Sequence, residues 1–105
     1  MPEADPPVRV VENPEKHRYE AYVGDELAGF VTHRSRSEVV VLVHTEVASA
    51  FEGRGVGGRL AAAALEDIRA RGLKVDPLCP FISHYLDRHP ELSDLVADEE
   101  SFPGA

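Results

Sequence analysis

Apolar and polar positions alternate through the first third of the chain. Val8, Arg9 and Val10 alternate as a short strand does, and Asn13-Pro14-Glu15-Lys16 is turn chemistry. His17 to Val23 follows, with Tyr19, Ala21 and Val23 on one face and Glu20 and Tyr22 on the other. Gly24-Asp25 predicts a two-residue hairpin loop, because glycine supplies the positive φ such loops need. Glu26 to His33 returns, with Leu27, Gly29 and Val31 opposite Ala28 and Phe30; Ser35-Arg36-Ser37 then interrupts the pattern. Val39 to Val43 is an unbroken aliphatic run, as expected of a strand covered on both faces.

The period then changes. From Gly55 to Arg71 there is no proline, and Val56, Leu60, Ala64 and Ile68 recur at spacing four, with Ala61 and Leu65 beside them. That is a helix with one buried stripe. Arg69 and Arg71 complement its negative end, and Gly72 suits the position just past it. Leu73 to Val75 supplies a short strand, which a crossover helix makes parallel to an earlier one. Pro80 opens a second helix reaching about His89; Pro90 begins a short third one carrying Leu92, Leu95 and Val96. The expected order is ββββαβαα: an α/β fold, with a mixed, mostly antiparallel sheet and helices packed on it.

Composition narrows the function classes. The 105 residues make one domain, expected over residues 8–97, between a flexible leader at 1–7 and an acidic tail at 98–105. Eleven basic against nineteen acidic side chains give a formal charge of −8, which disfavours nucleic acid and suits an amine-bearing partner. A single cysteine, Cys79, excludes an intramolecular disulfide and fits a reducing compartment. No apolar run reaches bilayer length, and Met1 to Asp5 is the reverse of a signal peptide. The expectation is a cytoplasmic protein off the membrane, with a monomer favoured. His84 and His89 stand five apart and do not align as a ligand pair, so no metal is expected.

Glu52-Gly53-Arg54-Gly55-Val56-Gly57-Gly58 lies between the most apolar strand and the most helical segment. A helix start leaves its first N–H groups pointing outward, and glycines let an anion approach them. The amides of Arg54, Gly55, Val56, Gly57 and Gly58 therefore suit a pyrophosphate, with Arg54 or Arg59 adding charge. The plainer reading is a turn that only allows close helix–sheet packing. Gly53, Gly55 and Gly58 also spell the dinucleotide fingerprint, but that fold needs the strand to run directly into the glycines, and Thr45 to Glu52 intervenes.

Val47 to Leu60 resembles motif A of the GNAT superfamily of N-acetyltransferases, whose signature is Gln or Arg, two residues, Gly, one residue, Gly or Ala at the start of a long helix. Gly55 and Gly57 match it; Glu52 stands where the family has Gln or Arg. H-T-E-V at His44–Val47, C-P-F at Cys79–Phe81, Tyr85 and H-P-E at His89–Glu91 resemble a small single-domain branch with a trimmed fold. The resemblance implies an acetyl-coenzyme A site, with the pantetheine arm in a gap beside the fourth strand. Carried over, the Val47 amide meets the thioester carbonyl, and Arg54 to Gly58 hold the pyrophosphate. The strands that help bind the acceptor in longer members have no counterpart here, so the acceptor site is expected to be open.

Cys79 precedes Pro80 and so caps the second helix, where the dipole favours a thiolate; a lone cysteine is otherwise most often a small buried hydrophobe. The resemblance brings Cys79 near the acetyl group. Two routes follow. In direct transfer Glu46 or His44, which share one strand face, act as base and Tyr85 or Cys79 as acid; in the other route Cys79 itself carries the acetyl group. The blander readings are solvated edge residues for His44 and Glu46 and a packing aromatic for Tyr85. The expected activity is acetyl transfer from acetyl-CoA to a small-molecule or protein amine. The alternative is an acyl-CoA binding or sensing module without turnover.

Overall fold

A computed structural model describes residues 7–97 of the chain; the expected leader, except Pro7, and the tail lie outside them. Short connections, two of them of two residues, build the first half. β1 (Val8–Asn13), β2 (Arg18–Val23), β3 (Glu26–Arg36) and β4 (Val39–Val47) form an antiparallel meander. Gly24, at φ +61°, opens the β2–β3 loop as expected, and Ser37 takes φ +56° in the β3–β4 loop. Between β1 and β2, the Asn13 side chain accepts from the Lys16 N–H and His17 turns left-handed. β2 therefore begins at Arg18 rather than His17.

α1 (Val56–Ala70) crosses over and returns the chain as β5 (Lys74–Pro77), parallel to β4 at the sheet edge. α2 (Pro80–Asp87) follows, ending two residues before the expected His89. The expected third helix is a 3-10 helix, Pro90–Leu95, and Val96 lies outside it in a parallel bridge to Val75. The α1 stripe of Val56, Leu60, Ala61, Ala64, Leu65 and Ile68 is buried against Ala21, Val31, Leu42 and Val75. Ile82, Leu86 and Leu95 extend the same core. Each such Leu or Ile is worth about 1.5–3 kcal/mol of burial.

Two bulges correct the simple alternation. In the β2–β3 ladder Tyr22 pairs with Leu27 and Ala21 with Gly29, so Ala28 is an extra residue. Leu27 and Gly29 thus fall on opposite faces, and Ala28 is buried instead of facing out with Phe30. In the β3–β4 ladder Thr32 pairs with His44 and His33 with Leu42, making Val43 the extra residue. β3 also runs past its expected end at His33, to Arg36, because β4 supplies its ladder partners, and β4 continues through His44 and Glu46 to Val47, as the reading of that pair on one strand face requires.

Polar groups fasten both faces. On the helix side, the Tyr19 hydroxyl donates to Asp67 at 2.7 Å, Arg71 pairs with Asp67 and Glu12, and burial together with the Asp67 contact pushes the Tyr19 pKa well above the usual phenol value. On the other side, Glu20 accepts from Arg18, Tyr22 and Asn13, and the Arg18 guanidinium lies 4.4 Å over the Phe30 ring.

Candidate active site

The site is built where β4 loses its second neighbour. β5 pairs with β4 only as far as Leu42 and Pro77, and the Cys79 N–H adds one more bond to the Leu42 carbonyl at 2.9 Å. Beyond it α2 turns away, and β4 from Val43 to Val47 has a strand on the β3 side alone. The Ala48 N–H donates to Ala28 on β3 at 2.8 Å. Successive strand amides alternate sides, so the Val47 N–H faces the open side.

The glycine segment sits directly above this opening. A 3-10 turn, Ser49–Phe51, buries Phe51 and carries the chain to the loop. Gly53 and Gly55 take φ of +78° and +79°, conformations that disfavour other residues. Gly55 caps α1 without a side chain, so the first-turn amides of Val56, Gly57 and Gly58 carry no side-chain cap. A groove of about 270 Å³ is lined by Val47, Phe51, Gly55, Gly57, Gly58 and Phe81, among others. A Cβ on Gly58 would meet nothing within 4 Å, whereas one on Gly57 would lie 2.8 Å from the Phe81 ring. Phe81 therefore packs against bare backbone and joins the first turns of α1 and α2. The Arg54 guanidinium lies 5.1 Å over the Phe51 ring, and Arg54 is not among the groove-lining residues.

The bulge at Val43 divides the remaining candidates. Before it, Val40 and Leu42 face the helices; after it, Thr45 and Val47 do. Cys79 caps α2 as expected, is 3% exposed and makes no cap hydrogen bond. Its Sγ instead lies 3.3 Å from Thr45 Oγ1. His44 and Glu46 share the opposite, exposed face, where His44 Nε2 is 3.2 Å from Glu46 Oε2. The Tyr85 ring stacks on His89, with centroids 4.1 Å apart. Val47, Gly55, Val56, Gly57 and Gly58 thus share one groove, and Cys79 and the His44–Glu46 pair flank β4 from its two sides. Sequence reasoning missed Thr45 and the position of Phe81. Thr45 became legible only once the bulge fixed which side chains face α2. Among the described residues no three His, Cys, Asp or Glu side chains converge as a metal site, and no helix is long and apolar enough to cross a membrane.

A family described as GCN5-related N-acetyl-transferase matches residues 18–95. The chain belongs to the GCN5-related N-acetyltransferase family. That matched stretch holds all five strands except β1, both α-helices and the glycine loop, so the resemblance read from motif A holds. Proteins named NATD1 from Gallus gallus, Mus musculus and Homo sapiens are each 40% identical to this chain over 52 residues. The matches cover 50% of this chain and 46–47% of those proteins, so the chain spans about half the length of the curated relatives it matches. An NMR solution structure of a GCN5-like protein from Staphylococcus aureus shares the fold, with a TM-score of 0.64 at 22% identity over 90% of this chain and 91% of that one. The mixed α/β class expected from periodicity is thus the GCN5-related N-acetyltransferase fold.

Proposed function

We propose that this chain transfers an acetyl group from acetyl-CoA to an amine, with the pyrophosphate on the amides of Arg54 to Gly58 and the thioester carbonyl at the Val47 N–H. The observation that carries the reading is the groove joining those two features. A glycine-started helix opens onto the part of β4 that β5 leaves free. Outward amides and the helix dipole suit the phosphates, and the open space at Gly58 fits a group lying close to backbone. Val56, Phe51 and Phe81 supply apolar wall.

The two faces of β4 support direct transfer. The amine approaches from the exposed face, where the His44–Glu46 pair takes its proton, and its nitrogen bonds to the thioester carbon as the carbon–sulfur bond breaks. The coenzyme thiolate is released on the helix face, where Cys79 and Tyr85 are the candidate proton donors. Relay through Cys79 is disfavoured because its Sγ is buried against Thr45, on the face away from His44 and Glu46. Glu52, which lines the groove where the family carries Gln or Arg, is the departure that favours one second reading, a coenzyme-binding module without turnover.

Calorimetry with acetyl-CoA tests the reading. Gly58→Asp places a carboxylate in open space at the phosphates, so it is expected to weaken binding by about tenfold or more without repacking the protein. Gly57→Asp is the less clean variant, because its side chain also displaces Phe81. Unchanged affinity in Gly58→Asp would defeat the phosphate assignment, and binding without turnover on any amine would favour the second reading.

A further inference from the structure

A second depression, of about 680 Å³, lies over β3 on the far side of Val43 from the glycine loop. Lys16, His17, Thr32, His33, Arg34 and Ser35 line it, together with Val43. No carboxylate lines it, in a chain with nineteen of them. Several other basic side chains are neutralised by carboxylates: Arg18 by Glu20, Arg36 by Asp76, Arg69 by Asp94, Arg71 by Glu12 and Asp67. Among the described residues, neither the Lys16 ammonium nor the Arg34 guanidinium has an acidic partner. His33 forms a rigid wall, 8% exposed, and its Nε2 is 3.1 Å from Glu12 but out of line for a hydrogen bond. The volume is that of a small-molecule site, and two unneutralised cations with two hydroxyls are the chemistry of anion recognition.

Its position gives that chemistry a purpose. Val43 immediately precedes His44, and Thr32 stands opposite His44 in the β3–β4 ladder, its hydroxyl 3.4 Å from the His44 carbonyl. The basic groove therefore adjoins the exposed His44–Glu46 pair. We propose that it takes the anionic group, a carboxylate or a phosphate, of a small amine acceptor whose amino group reaches His44 and Glu46. The substrate class is then a zwitterion, not the polycation that the overall charge of −8 suggests. The acceptor role rests on the acetyl-transfer reading above; the anion site itself does not.

Titration of the 15N-labelled full chain with phosphoethanolamine, β-alanine and putrescine tests this by amide shifts. The two anionic amines are expected to move Thr32, Arg34 and Ser35, and putrescine to leave them in place. The tighter of the two assigns phosphate or carboxylate. Lys16→Glu and Arg34→Glu, both at exposed positions, are each expected to weaken the effective ligand by about tenfold. Acetyl-CoA affinity, measured on the same variants, is expected to be unchanged. The proposal is overturned if neither anion moves the groove at millimolar concentration, if putrescine moves it equally, or if both variants bind as the parent does. A parent that takes the anion but no acetyl-CoA would instead defeat the acetyl-transfer reading and leave an anion site without that role.

Discussion

At the scale of single residues, the most consequential contact is that between Cys79 and Thr45. A cysteine at a helix N-cap was legible from the Pro80 that follows it, but its partner was not, because the two stand 34 positions apart. Burial at 3% exposure keeps Cys79 from the exposed face where an amine would meet an acetylated thiol. Direct transfer therefore predicts no gain in intact mass when the protein meets acetyl-CoA without an amine. As a proton donor, Cys79 replaced by alanine should lower kcat by about a hundredfold with little change in the KM for acetyl-CoA. An acetyl adduct in the parent that vanishes in Cys79→Ala would replace direct transfer with the relay. Gly24 and Gly72 were the most readable glycines, since a hairpin loop and a helix end both call for the positive φ that each adopts.

At the scale of elements, helices and hairpins were readable and strand ends were not. The α1 stripe, its glycine cap and the Gly24 loop follow from local chemistry, so they stand where the sequence puts them. Ser35 and Arg36 carry no strand signal of their own; they are extended because a neighbouring strand bonds them. Pairing is non-local information that a single sequence does not carry. Gly29 shows how closely those neighbours approach: a Cβ there would lie 2.6 Å from the Glu46 carbonyl oxygen and 3.2 Å from the Val47 Cα. Gly29→Ala must push β3 from β4 beside the proposed thioester position. It is expected to cost about 1–3 kcal/mol in urea denaturation and to weaken acetyl-CoA binding as well. Full stability in that variant would mean the strands separate without cost.

At the scale of the whole molecule, stability is tied to pH through two groups on different faces. Burial lowers the His33 pKa from its ordinary 6.5, with Glu12 opposing. The unfolded chain therefore binds that proton first, and stability falls as pH drops below 6.5 until the folded value is passed. Burial alone would raise the Glu20 pKa, but hydrogen bonds from Arg18, Tyr22 and Asn13 outweigh it and hold the carboxyl below its ordinary 4.5. Its contribution is present above 4.5 and is lost as pH falls through the folded value. Denaturant midpoints are expected to decline in two stages on acidification, and His33→Gln to remove the upper one. A flat profile between neutrality and the carboxylate range would contradict the first assignment.

Val43 makes the chain unusually tolerant of shortening at this point. Without that one codon Leu42 would run directly into His44, the ladder pairs His33–Leu42 and Thr32–His44 would become consecutive, and every side chain from His44 to Val47 would keep its side of the sheet. A strand that held Val43 in regular alternation would instead drive an imidazole and a carboxylate beneath the helices and set a threonine and a valine out in water. A reading-frame-preserving deletion of Val43 should therefore cost the bulge alone and leave the inside and outside of β4 unchanged.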